Sequence, residues 1–390
     1  MPDFAAPGGH VDDGSSGPRP IEAVGTSTAG FVGPTVAAPA EGDLPLLTTM
    51  IEFEHHYGGG ADLTDRDGSR TPNFIWHAAR TFFVNGGRRL YVARASREHG
   101  LPPALPDFLA ALERLEHISD IAIVAAPGAT FGYDPSRRPD ADARMRALLD
   151  QASRMRNRFA VIDSGDRQSA AAVEAMRAAF DSPFGALYYP WVRVVDPATG
   201  QVLHLPPTGF ICGIYARVDM NRGVWKAPAN EALVMATGLE RDLTRAEYTR
   251  LNAVHVNCLR RVPGRGVLVM GARTLGSDPD WKYVNVRRLL LYLESSIDRG
   301  LQWAVFEPNG ERLWADVRRV VENFLVSQWR AGALAGRRPD EAFFVRCDRT
   351  TMTQSDLDEG RLVCLVGVAP IRPAEFVIFR IGQWTANRKP

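Results

Sequence analysis

Two side chains of this 390-residue chain stand where covalent chemistry could be done. Ser27 lies in Gly25-Thr26-Ser27-Thr28-Ala29, a run of small residues. A serine nucleophile needs a general base and an orienting carboxylate within hydrogen-bond reach. Ser27 precedes every plausible Asp–His pair except those in residues 1–20, so a packed small-residue strand is the competing reading. Asp163 closes the apolar run Val161-Ile162 and leads into Ser164-Gly165-Asp166. Enzymes with α/β folds place catalytic or metal-binding groups at such strand ends. An Asp there also serves as the cap of the next helix. An α/β hydrolase-type enzyme using Ser27 or Asp163 is therefore the enzymatic alternative, although neither has a recognisable partner.

The remaining chemistry-bearing residues point away from catalysis. The eight histidines include His55-His56 and isolated His77, His99, His117, His204 and His255, with no His-Glu-x-x-His spacing for zinc. No phosphate-binding Gly-x-x-x-x-Gly-Lys-Ser/Thr loop occurs. Gly264-Arg265-Gly266 lacks the third glycine of a dinucleotide fingerprint and reads as a turn before a strand over Val267–Met270. No catalytic constellation, metal or cofactor is expected. Lys plus Arg number 46 against 45 for Asp plus Glu, a net charge of +1, which gives no reason to expect nucleic acid or an anionic membrane as partner. The pairs Arg260-Arg261, Arg287-Arg288, Arg318-Arg319 and Arg337-Arg338 are spread out and offset by acids. The four cysteines, Cys212, Cys258, Cys347 and Cys364, are scattered, and three sit in apolar stretches, as buried free thiols would. No apolar run reaches the roughly 20 residues that span a bilayer, and Met1-Pro2-Asp3-Phe4 does not open a secretory signal. Membrane insertion is not expected, and synthesis in the cytoplasm is.

The elements that position these residues follow from periodicity. Residues 1–20 are rich in Pro, Gly, Ser and Asp and form an arm that cannot bury a core. Ile21–Gly33 reads as a small-residue strand, and Asn73–Asn85 is apolar enough for a helix packed on the core. Strand and helix then alternate: Arg89–Arg94, a helix through Leu105, Phe108, Leu109, Leu112 and Leu115, and Asp120–Ala126. The series continues with a helix over Asp140–Asn157, a strand over Phe159–Asp163, a helix over Ser169–Phe180 and a strand over Ala186–Val195. Such βαβ units predict a mostly parallel, doubly wound sheet. A turn at Asp196–Gly200 leads to Val202–Leu205. Near the C-terminus Val286, Leu289, Leu290, Leu293 and Ile297 form one helical face. Leu313, Val317, Val320, Val321, Phe324 and Leu325 form another, with Gly332 at its end. Strands are predicted over Ala342–Cys347, Leu362–Val368 and Phe376–Ile381. This α+β unit ends in a strand free to pair outside its own subunit.

The C-terminal third carries a resemblance. Trp281-x-Tyr283-Val284-Asn285-Val286-Arg287-Arg288-Leu289, Phe306-Glu307-Pro308-Asn309, Leu313-Trp314, Gly332-Ala333-Leu334-x-Gly336, Phe343-Phe344-Val345-Arg346-Cys347-Asp348 and the run Val368–Ile378 occur in this order. Together they resemble the C-terminal domain of contractile tail sheath proteins, found in phage tails, R-type pyocins and extracellular contractile injection systems. Pro7-Gly8, Pro18-Arg19-Pro20-Ile21, Leu46–Gly58, Pro206–Asp219 and Gly223–Asn230 extend the likeness over nearly the whole chain. Gly9, His10 and Val11 stand where the family carries apolar strand residues. Gly25–Ala29 also resembles the Gly-Thr-Ser-x-Ala stretch around the nucleophile of subtilisin-like proteases, which use the order Asp, His, Ser.

The sheath resemblance implies a mixed, multi-domain α/β and α+β fold. Its parts would be an arm (1–20), an N-terminal core part (21–85), an α/β domain of subtilisin-like topology (86–260), a C-terminal α+β domain (261–374) and a terminal strand and arm (375–390). It implies a non-enzymatic subunit that stacks in hexameric rings, forming a helical polymer around an inner tube with baseplate and cap proteins at its ends. Assembly in the cytoplasm and release as an extracellular particle follow from the same likeness. Phe376, Val377, Ile378, Phe379 and Ile381 would form the strand exchanged between subunits. Arg287 and Arg288 would face acidic groups of the tube, with pairing to Glu294 or Asp298 in the same subunit as the alternative.

Overall fold

The computed structural model describes residues 20–39, 44–65, 67–96, 98, 100–197 and 199–375. Two compact units emerge: one holds Val24–Ser295 and the segment from Pro370 onward, the other Ser296–Ala369 and the residues up to Ala23.

The larger unit is built on an eight-stranded sheet. Its strands are β1 (Ala29–Gly33), β2 (Leu90–Arg94), β3 (Ile123–Ala125), β4 (Phe159–Asp163) and β5 (Gly185–Tyr189). A separate three-stranded sheet holds β6 (Val192–Val195), β7 (Val202–Leu205) and β9 (Gly238–Leu239). The short β8 (Glu231–Ala232) and the hairpin β10 (Val256–Val262) and β11 (Gly266–Val269) complete the main sheet. Its order is β8-β11-β10-β5-β4-β3-β1-β2, parallel from β10 to β2 and antiparallel at the β11 and β8 edge.

Strands β1, β4 and β5 are buried at every position, as parallel strands covered on both faces must be. Alternate residues divide between two cores. Phe31, Ile123, Phe159, Val161 and Tyr188 face one side together with helices α1 (Met50–Tyr57), α2 (Phe74–Val84) and α6 (Thr208–Arg222). Val32, Val124, Ala160, Ile162 and Leu187 face the other, covered by α3 (Leu105–Arg114), α4 (Arg138–Met155), α5 (Ala170–Arg177) and α7 (Arg245–Ala253). The expected doubly wound α/β body is thus realised. Helix α2 starts at Asn73, whose side chain accepts from the Trp76 amide, and ends at Asn85, so an asparagine marks each boundary.

Several strands expected from the sequence are shortened, Asp120–Ala126 to Ile123–Ala125 and Leu362–Val368 to Leu365–Val368 among them, and one is split. The run Ala186–Val195 breaks at Pro190, and its halves belong to different sheets. Proline lacks the N–H that a central ladder requires, and Trp191 turns away to donate its indole N–H to the Ser164 carbonyl at 2.8 Å. The segment from Ile21 becomes strand only at Ala29, where its small residues meet β2 and β3. The turn at Gly264-Arg265-Gly266 does join two strands, with both glycines at positive φ (75° and 80°) where a side chain would be strained.

Helix α8 spans Val284–Gly300. The smaller unit contains α9 (Glu311–Arg330) and a two-stranded antiparallel sheet of β12 (Phe343–Arg346) and β13 (Leu365–Val368). All six predicted apolar positions of α9 are buried. The helix closes in a Schellman arrangement: Ala333 N–H donates to Gln328 O, Gly332 N–H donates to Trp329 O, and Gly332 adopts φ 85°. Strand β12 packs against α9.

Candidate assembly surface and buried polar centres

Asp163 is buried at the carboxyl end of β4, and its function is local. One carboxylate oxygen accepts from the Thr208 amide and the other from the Thr208 hydroxyl, both at 2.8 Å. It therefore receives the first turn of α6, forty-five residues on, and not the next helix, which Ser169 caps. Burial without a cation pushes its carboxyl up to about 8, although the Thr208 hydrogen bonds pull the other way. Ser27 is half-buried in the irregular segment before β1. Its neighbours are used structurally: Thr26 O accepts from Arg288, and Thr28 O accepts from the amides of Ala122 and Ile123. Among the described residues no histidine or carboxylate is hydrogen-bonded to Ser27, and the hydrolase alternative gains no support. Among the described residues no group of three or more His, Cys, Asp or Glu side chains is placed to hold a metal ion, and no helix is long and apolar enough to cross a membrane.

Arg287 and Arg288, expected at a tube-facing surface, are both buried, each 3% exposed. Arg288 grips Asp219 through two hydrogen bonds of 2.9 and 2.6 Å, donates to Thr26 O at 2.9 Å, and lies 4.6 Å from the centre of the Tyr215 ring. This planar, bidentate geometry suits a guanidinium fork. Burial presses the Arg288 proton off, but Asp219 more than offsets it and raises the group above its ordinary value. Arg287 is sandwiched near Phe184 and Trp281, 4.2 and 4.6 Å from the ring centres. Neither guanidinium is presented outward in this subunit, in contrast to the outward placement that a tube contact would use. Burial lowers the Arg287 group while the Glu294 carboxylate acts against this by charge, and within the subunit Arg288 is paired with Asp219. Sixty-nine residues separate the pair, so no local spacing announces it.

A second charged centre, not anticipated from the sequence, holds the last described residue. Glu375 accepts from Arg273 Nε and Nη2 at 2.8 and 2.7 Å and from the Tyr283 hydroxyl at 3.2 Å, with Lys282 Nζ 3.6 Å away. Burial presses the Glu375 carboxyl upward, yet Arg273, Lys282 and Tyr283 outweigh it and hold it below its ordinary value. The chain is thus fastened immediately before Phe376, Val377, Ile378, Phe379 and Ile381, which lie outside the described residues. An acid next to the terminal apolar run is the one sequence signal that pointed here.

The smaller unit carries the open surface. Facing residues in an antiparallel pair share one side of the sheet, and Phe344/Gly367 and Arg346/Leu365 form the side away from Val345. Phe344 is 53% and Leu365 49% exposed, whereas Val345 is buried. Among the described residues the sheet has two strands only, so each strand keeps an unpaired edge. An apolar, two-edged sheet is a template for a further strand.

This architecture defines a class first: a doubly wound α/β body accompanied by a small α+β unit whose sheet is open. Residues 104–275 match the phage tail sheath protein central domain, and residues 276–383 match the phage tail sheath C-terminal domain. The contracted helical sheath of the anti-feeding prophage is 31% identical with a TM-score of 0.77, over 98% of this chain and 100% of that one. The contracted sheath of the extracellular contractile injection system PVC is 26% identical, with a TM-score of 0.75 and full coverage of both chains. A putative prophage major tail sheath protein of Pseudomonas aeruginosa (strain UCBPP-PA14) is 27% identical over 58% of this chain, and that match spans 58% of the relative's own length. The chain belongs to the contractile tail sheath protein family.

Proposed function

We propose that this protein is the structural subunit of a contractile sheath that polymerises helically around an inner tube and contracts to drive the tube through a target envelope. The open face and edges of β12–β13 carry this reading, because a strand added there satisfies backbone groups across subunits without any active site. The terminal strand Phe376–Ile381, leaving from the Glu375 clamp, is the donated strand, and residues 1–20 supply the second link. Head-to-tail contacts of this kind do not close on themselves and so generate a helical lattice. Main-chain linkages persist while the rigid bodies rotate and slide, and the lower-energy contracted lattice supplies the work. Copies of the chain in stacked hexameric rings, an inner tube protein, and baseplate and cap proteins are the partners. Assembly takes place in the cytoplasm, followed by release as an extracellular particle. The chain has no catalytic role in this reading.

Negative-stain electron microscopy of the full chain, alone and with its tube protein, tests the proposal. Hollow cylinders with a helical wall are expected in at least one of the two samples. Discrete small particles in both would overturn it.

A further inference from the structure

Cys347 and Cys364 flank the β12–β13 sheet at its loop end. The ladder pairs Phe343 with Val368 and Arg346 with Leu365, so one further step sets Cys347 opposite Cys364. The Ala369 amide donates to the Ala342 carbonyl, which fixes Ala342 and Ala369 as a hydrogen-bonded pair. Alternation along the ladder then makes Cys347 and Cys364 a pair of the non-hydrogen-bonded kind, in which side chains approach most closely. The Cα separation of such pairs, about 4.5 Å, falls inside the disulfide range of roughly 4.4–6.8 Å. Thr351 holds the intervening loop shut by donating its hydroxyl to Val363 O at 2.8 Å.

We infer that Cys347 and Cys364 form a reversible cross-strand disulfide when the protein meets a small-molecule disulfide. Both are free thiols in the structure, and the two side chains interact directly. Contact with Cys364 lowers the Cys347 thiol, with Arg318 assisting against burial, and the same contact raises the Cys364 thiol. Cys364 is the half-buried partner that reagent can reach, whereas Cys347 is 1% exposed. In the first step the more accessible Cys364 gives its proton to solvent, and the resulting thiolate attacks the small disulfide and expels one thiolate. In the second, the Cys347 thiolate attacks the Cys364 sulfur and expels the other. Two protein thiols give up two electrons and two protons, and one small disulfide becomes two small thiols. Cys212 and Cys258 stay out of this exchange: both are buried in the larger unit, and burial pushes both thiols up, Cys258 to about 12. A reducing compartment keeps the pair open and an oxidising one closes it, tying β12 to β13.

The test uses the full chain incubated with oxidised glutathione, quenched by alkylation and digested without reductant for mass spectrometry. A linked peptide pair carrying Cys347 and Cys364 is expected, with no retained glutathione and release by dithiothreitol. Cys347→Ser is expected to leave glutathione attached to Cys364, because the resolving sulfur is gone. Amide exchange over residues 343–368 is expected to slow roughly tenfold on oxidation of the wild type. The inference is overturned if the wild type keeps both thiols alkylatable or retains glutathione on Cys364. Unchanged exchange in a chain that has formed the bond would overturn the tying of the two strands.

Discussion

The two sheets of this protein solve opposite problems. The eight-stranded sheet is covered on both faces, and its interior charges find partners inside: Arg288 on Asp219, Asp163 on the first turn of α6. The β12–β13 sheet stops at two strands among the described residues and leaves Phe344 and Leu365 in solvent. A complete sheet gives a rigid body, whereas an incomplete one offers backbone groups and apolar surface to another chain. In a sheath the first property would transmit force and the second would link subunits. Stability and assembly should therefore respond to different substitutions.

The largest effect is expected at the buried ion pair. Arg288→Met leaves Asp219, 2% exposed, without its counter-charge. Removing one partner of such a pair costs about 3–5 kcal/mol, while replacing both with well-packed groups is often tolerated. Denaturant unfolding of the full chain should show that loss for Arg288→Met and a substantial recovery when Asp219→Leu is added. A loss below about 1 kcal/mol would mean that the pair is hydrated, and the contrast between closed and open regions would fail.

Asp163 gives a smaller, pH-dependent effect. Its folded carboxyl is raised from the usual 3.8 to about 8, so between these values the folded chain binds a proton that the unfolded chain has released. Its contribution to stability is fully present below about pH 4 and is lost as pH rises to about 8. The slope is at most about 1.4 kcal/mol per pH unit. Asp163→Asn cannot ionise and should flatten the fall in stability between pH 5 and 8, which denaturation midpoints across that range would report. An unchanged slope would show that the carboxyl is already ionised at neutral pH.

Much of this contrast was legible before the structure. The two helical faces of the C-terminal third, the alternation of strand and helix through Asp163, and the asparagine boundaries of α2 follow from periodicity and capping chemistry. For Arg287 and Arg288 the sequence left open a tube-facing surface and pairing within the subunit, and the structure buries both. Trp281 lies only six residues before Arg287, but no local spacing reveals that Asp219, on another helix, and the rings of Tyr215 and Phe184 will help to enclose the pair. The Glu375 clamp was missed for the same reason, since Arg273 lies 102 residues away. Local rules see turns and faces, whereas pairing across the fold is a tertiary property. The split at Pro190 was visible in principle, because a proline inside an apolar run argues against one continuous strand.

The smallest effect on the subunit should accompany the sharpest effect on assembly. Leu365 lies on the outward side of β13, opposite Arg346, and is half exposed, so Leu365→Lys gives up little buried contact and sets a like charge across from Arg346. Substitutions of that kind change stability by about 1 kcal/mol or less. The same lysine would have to be desolvated beneath a strand laid over or beside β13, and lysine on strand edges is a recurrent device against strand addition. Leu365→Lys should therefore unfold at a denaturant midpoint close to the parent's while failing to form the cylinders expected of the parent chain. If the variant assembles as well as the parent, the exposed side of β12–β13 is not where subunits meet. The linking surface would then have to lie on the closed body, and the division of labour between the two sheets would be wrong. If it loses both its midpoint and its assembly, Leu365 supports the fold itself, and the open sheet is less independent of the helix beneath it than its exposure implies.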